Sequence, residues 1–135
     1  MKKIILSLAI SMLVAPGFST TPLPHQAGLA EINVKVLDAF NKTFVNTENL
    51  KWYENENNFE ARFNLDGVRS VVWYNKKGEL LKMHRYYFEY KLPPFLLGNI
   101  RKKMPDQKIY GVTEITNSAG VVYYITIEDK KTEFN

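Results

Sequence analysis

The chain has 0 cysteines and only 2 histidines. The first absence excludes disulfides, thiol nucleophiles, thiolate metal sites and the lipid-bearing cysteine of a bacterial lipoprotein. The second leaves His25 and His84 too few and too far apart for a histidine-rich zinc centre or a catalytic triad. No glycine-rich phosphate loop, nucleophile elbow or HExxH motif occurs. Scattered carboxylates such as Glu54, Glu56 and Glu60 fall on turns or outward strand positions, where they read as solubilising charge. The sequence therefore calls for no catalytic step, no metal and no cofactor.

Long apolar runs are also missing, apart from Ile4 to Ala15. That run follows a basic Met1-Lys2-Lys3 and precedes the small residues Gly17, Ser19 and Thr20, the plan of a secretory signal peptide with cleavage near Ser19. About twelve residues are too few to span a bilayer. The full chain carries 18 Lys and Arg against 14 Asp and Glu, and losing Lys2 and Lys3 leaves 16 against 14. The isolated pairs Lys102-Lys103 and Lys130-Lys131 make no phosphate-tracking stripe, so nucleic acid is a poor partner. The expected product is a periplasmic or secreted protein held together by its core alone.

What is present is apolar and aromatic: 45% hydrophobic residues, with 8 Tyr, 8 Phe and 2 Trp. Residues 20–29 (TTPLPHQAGL) are punctuated by Pro and Gly and read as a flexible lead-in. From Glu31 the period becomes helical. Ile32, Val36, Phe40 and Phe44 fall four apart, with Leu29 and Leu37 flanking the stripe. Strands follow from Leu50, at "NFEARFNL", at "VRSVVWYN" and from Leu80 to Tyr90. In the second of these Phe59, Ala61, Phe63 and Leu65 point inward and Glu60, Arg62 and Asn64 outward. Asp66-Gly67 is a strong two-residue hairpin signal.

"LPPFLLGNIRKKMPD" then reads as a second helix. Pro93 and Pro94 suit its first turn, Arg101, Lys102 and Lys103 its last, and Pro105 stops it. The strands "KIYGVTEIT" and "VVYYITIED" complete the chain. Helix, aromatic-bearing strand, turn and strand thus occur twice, with Trp52 answering Tyr110, and Phe59, Ala61 and Phe63 answering Val121, Tyr123 and Ile125. The expected fold is α+β: a tandem α-β-β-(β) repeat with two helices packed on one face of a mainly antiparallel sheet. The expected organisation is a signal peptide 1–19, a lead-in 20–29 and a single domain 30–135. Repeat one covers about 30–91 and repeat two about 92–135, which ends early, at "TEFN".

The helix ending "DAFNKTF", the "LKWY" strand, "FEARFNLDG", "VVWYNKKGELL", the Leu-Pro-led second helix, "KIYGV" and "VVYYITIED" together resemble the PepSY-like family of secreted bacterial proteins, common in Bacteroidetes. They span Ile32 to Asp129. The resemblance implies a tandem repeat similar to a β-lactamase-inhibitor protein, and a role in binding or inhibiting other proteins, peptidases among them, outside the cytoplasm. It supplies no catalytic or ligand residues to carry over. Gln107 to Gly111 also resembles the Gln-x-Val-x-Gly loop of cystatins, but that loop is a hairpin, and here the segment enters a strand.

On the strand Leu80 to Tyr90, Lys82, His84, Tyr86, Phe88 and Tyr90 share one face and Leu81, Met83, Arg85, Tyr87 and Glu89 the other. Leu81 and Met83 suit the core. The candidate interaction surface is therefore His84, Tyr86, Phe88 and Tyr90, unless both rows are buried between the repeats. The function expected is an exported, non-enzymatic module that binds another protein, a peptidase or an envelope partner. The alternatives are a small-ligand carrier or weak hydrolase with an aromatic-lined pocket, for which His84 and Arg85 are the nearest polar groups, and a self-associating surface component.

Overall fold

A computed structural model describes residues 23–128. The signal-peptide reading, the cleavage point and "TEFN" lie outside the described residues. Seven strands form one antiparallel sheet in chain order: β1 (His25–Ala27), β2 (Glu48–Glu54), β3 (Asn58–Leu65), β4 (Val68–Asn75), β5 (Leu80–Tyr87), β6 (Lys108–Asn117) and β7 (Gly120–Glu128). Helix α1 (Val34–Thr43) lies between β1 and β2, and α2 (Pro94–Lys103) between β5 and β6. Both helices pack on the same face, so the α+β architecture expected from the periodicity is the one observed.

The lead-in is a correction. Ala27 is buried opposite Trp52, and His25 lies opposite Glu54, so His25–Ala27 within it form the sheet's first strand. A three-residue strand is too short to show a period, which is why the sequence pattern missed it.

Helix α1 forms where the four-residue spacing predicts, and Ile32, Val36, Phe40 and Phe44 are all buried. Asn33 caps it: its side-chain oxygen accepts from the Lys35 amide, while its Nδ2 donates to the Lys76 carbonyl in the β4–β5 turn. Leu29 is instead exposed, because residues Leu29–Glu31 form a separate 3-10 turn before the helix. Phe40 meets the rings of Phe44, Trp52 and Phe63 at centroid distances of 5.2, 5.2 and 5.1 Å. Helix α2 opens on Pro93 and Pro94 and covers Val68, Tyr87, Ile109 and Val112. Its last turn is tied down by the Arg101 guanidinium, which donates to the Gln107 carbonyl and to the Glu89 carboxylate.

The order strand, 3-10 turn, buried aliphatic, helix, strand, strand occurs twice, with β4 between. Ala27 matches Tyr87, Ile32 matches Leu92, Phe40 matches Ile100 and Trp52 matches Val112, all buried and all at one constant spacing. Pairing extends the match, since Trp52 lies opposite Ala61 and Val112 opposite Ile125. The alignment of Trp52 with Tyr110 is thus two residues out. A bulge between Ile109 and Gly111 leaves Tyr110 exposed and restores the inward period at Val112. Gln107 to Gly111 is the bulged entry to β6 rather than a hairpin loop, so the cystatin-like geometry is absent.

Candidate functional site: the helix-free face of the sheet

Residues directly opposite in an antiparallel ladder share a face. Phe59, Ala61 and Phe63, opposite Tyr74, Val72 and Ser70, look toward the helices. The alternate residues look away, and the register sets them in three rows across the strands. One runs Tyr53, Glu60, Trp73, Lys82, Asn117. The next runs Lys51, Arg62, Val71, His84, Ile115, Val122. The third runs Asn64, Arg69, Tyr86, Thr113, Tyr124. Among the described residues neither helix covers this face.

Its organiser is Glu60, only 6% exposed. One carboxylate oxygen accepts from the Arg62 guanidinium, and the other accepts from Trp73 Nε1 at 2.9 Å. Glu60 is therefore an internal anchor, and its reading as solubilising surface charge is corrected. The outward alternation of Glu60 and Arg62 was legible, but their engagement with a tryptophan on the neighbouring strand was not. Arg62 lies over the Tyr53 ring at 4.2 Å, and Glu60 holds its pKa above the ordinary arginine value. Trp73 contacts the His84 ring edge-on at 4.6 Å and carries the Lys82 ammonium 4.4 Å from its centroid. His84 Nδ1 sits 3.3 Å from the Tyr86 hydroxyl, and Arg69 lies over Tyr86 at 5.6 Å. Burial, then the Lys82 charge, pushes the His84 pKa below its ordinary value, against a weaker opposing pull from Glu60.

The four candidate residues do not stay together. His84 and Tyr86 belong to this face, and Tyr86 is 37% exposed. Phe88 and Tyr90 do not continue the row. Strand β5 ends at Tyr87, and the chain turns into a 3-10 segment at Glu89–Lys91, so the alternation predicted to Tyr90 is broken. They form a separate stacked pair, with centroids 6.4 Å apart, 60% and 74% exposed. Leu81 also departs from expectation. It is exposed because a bulge at Trp73/Tyr74 shifts the β4–β5 register at that end, whereas Met83 packs on the core.

On the helix side, Arg85 pairs with Glu114 at 3.3 Å, and the Tyr87 hydroxyl donates to the same carboxylate at 2.6 Å. Burial, together with that bond, raises the Tyr87 pKa. His84 and Arg85 thus serve opposite faces and do not converge on one pocket.

This sheet, with both helices on one side, is shared by solved structures. A BLIP-like protein from Bacteroides fragilis aligns with a TM-score of 0.59 at 20% identity, covering 70% of each chain. The fold is BLIP-like. A DUF2874 family protein from Bacteroides ovatus gives 0.58 at 16% identity, over 73% of this chain and 72% of that one. A protein of Bacteroides eggerthii, provisionally described as periplasmic, gives 0.55 at 15% identity over 71% of each. No family model and no curated protein matches the sequence. At these identities the likeness establishes the BLIP-like fold, and the helix-free face must be read from this chain's own residues. No helix among the described residues is long and apolar enough to cross a membrane.

Proposed function

We propose that this chain is an exported, non-enzymatic protein-binding module of the PepSY-like kind, released by cleavage near Ser19 and acting in the periplasm or outside the cell. The domain is the remainder of the chain, built as two unequal repeats. The partner is another protein, a peptidase or an envelope component, and it docks on the helix-free face around His84, Tyr86, Trp73 and Arg69. One observation carries the reading. Both helices lie on one side, and the other side presents aromatic rings and cations, of which Trp73 and Arg62 are fixed in place by the buried Glu60. Aromatic and arginine side chains already held in one geometry lose little entropy on binding, the usual property of an interface centre. The exposed Phe88–Tyr90 pair is a second, smaller candidate patch.

Affinity capture from the periplasm of the source organism tests this. The immobilised chain from Thr20 is compared with Tyr86→Ser/Tyr124→Ser and with Phe88→Ser/Tyr90→Ser, each checked for a native circular dichroism spectrum. A protein retained by the parent and by the second variant, but lost on the first, supports the face. Retention insensitive to Tyr86 and Tyr124, or no specific retention, sinks it.

A further inference from the structure

The helix-free face carries a cluster of four cations. Lys51, Arg62, Arg69 and Lys82 all point to that side, and the carboxylate set among them is Glu60. Glu60 is buried and its two oxygens are already taken by Arg62 and Trp73. Glu48, beyond the β2 bulge, and the Lys108–Glu128 ion pair lie at the margins. Among the described residues, no carboxylate lies within ion-pair distance of Arg69 or Lys82. Each is instead laid over a ring, Arg69 on Tyr86 and Lys82 on Trp73. A cation resting on an aromatic face is partly desolvated and directed, yet keeps its hydrogen-bonding capacity for an incoming anion.

The register adds a shape to this charge. The middle row runs Val71, His84, Ile115, Val122; Val71 is buried, and beyond His84 the row is apolar at Ile115 and the exposed Val122. Arg69 belongs to the neighbouring row on one side and Lys82 to that on the other. Arg62 closes its β3 end. We infer that the face recognises an acidic segment of a protein partner, in which an aromatic or aliphatic side chain lies on the Ile115–Val122 end of this row, beside His84, and flanking carboxylates reach Arg69 and Lys82. This inference rests on the protein-binding reading and names the chemistry of its partner. The apolar end of the row distinguishes such a segment from a bare polyanion, which would have nothing to place there. Opposed charge across the interface would speed encounter and reject basic partners.

The test is a selection of random linear peptides displayed on phage against the full mature chain at low salt. It is run in parallel on R69E/K82E, on R69Q/K82Q and on Y86S/Y124S. Peptides enriched in Asp or Glu next to an aromatic or aliphatic residue are expected. Their affinity should fall about tenfold or more on R69Q/K82Q, and weaken as salt rises past the screening range. Selection on R69E/K82E should turn toward Lys and Arg. Selected peptides that depend on Tyr86 and Tyr124 but show no acidic enrichment overturn the acidic partner while leaving the binding face standing. If no selected peptide depends on the face, both readings fail. If polyglutamate or polyphosphate binds as tightly as the selected peptides, the face is a charge sink without segment recognition, and the inference is overturned.

Discussion

Glu60 occupies a strand position whose neighbours on either side in sequence, Phe59 and Ala61, are core. Its own side chain is buried from the opposite direction by Arg62 and Trp73. Glu60→Ala leaves the indole N–H without its acceptor and Arg62 without its counter-charge. Equilibrium urea unfolding should show a loss of about 1–3 kcal/mol with an unchanged m-value, and the Trp73 fluorescence should broaden. An unchanged midpoint would show that Glu60 is not the organiser. His84 gives a second test on the same face. Its pKa lies below the unfolded value of about 6.5, because burial and Lys82 both disfavour the imidazolium. The unfolded chain therefore binds this proton more readily than the folded one. The contribution of His84 is present above the unfolded pKa and is lost as pH falls through the folded value. A ring-proton NMR titration should place its midpoint below the ordinary histidine value, and His84→Gln should flatten the fall in urea midpoint between neutral and mildly acidic pH. A midpoint at or above the ordinary value would contradict the burial and the Trp73 contact. Of this site, the sequence made the alternation legible and hence the side on which His84, Tyr86, Glu60 and Arg62 stand. It could not show which outward residues find partners on adjacent strands, because that depends on register, and the bulges that set register carry no local mark here.

Turns decide how the elements are placed, and two of them differ in a testable way. Asp66-Gly67 joins β3 to β4, with φ of 50° and 73° at the two residues, the paired left-handed geometry of a tight hairpin. Space around Gly67 is open, whereas a Cβ at Gly78 would stand 2.7 Å from the Lys35 carbonyl oxygen, with φ already at +86°. The β4–β5 turn is therefore pressed against the start of α1, where Asn33 also bonds to Lys76. Gly67→Ala should cost about 1–2 kcal/mol, the ordinary left-handed penalty. Gly78→Ala should cost more, since the turn must also withdraw from the helix. Thermal or urea unfolding of the two variants checks the order, and equal losses would mean the turn does not bear on α1. The same elements show what periodicity could reach. Both helices and six of the strands were legible, because each has either a sustained period or a strong turn signal at its ends. Strand β1 was hidden by its brevity. The end of β5 was overshot because "YYFEY" keeps its aromatic alternation after the backbone has left the sheet at Tyr87.

Across the whole molecule, one continuous sheet carries two cores of unequal strength. Eleven described residues are buried together under and around α1, including Phe40, Phe44, Trp52, Phe59 and Phe63, against six in the cluster under α2. The strand β3 is flanked by β2 and β4, and its Phe59, Ala61 and Phe63 are buried. Its counterpart β7 pairs with β6 on one side and has no partner among the described residues on the other, and none of its residues is fully buried. Burial of apolar side chains is the main source of folding free energy, at roughly 25 cal/mol per Å², so the two halves should not open together. Native-state hydrogen exchange should find the amides of α2 and β7 exchanging through a sub-global opening of lower free energy than those of α1, β3 and β4, with β5 in between because it is bonded to both halves. Phe40→Ala, expected to cost about 3–5 kcal/mol, should collapse that difference by bringing the α1 half down to the level of the α2 half. Ile100→Ala should widen it. Uniform protection across β3 and β7 in the parent chain would mean that the sheet holds the two cores as one cooperative unit, and that the weaker packing around β7 is compensated.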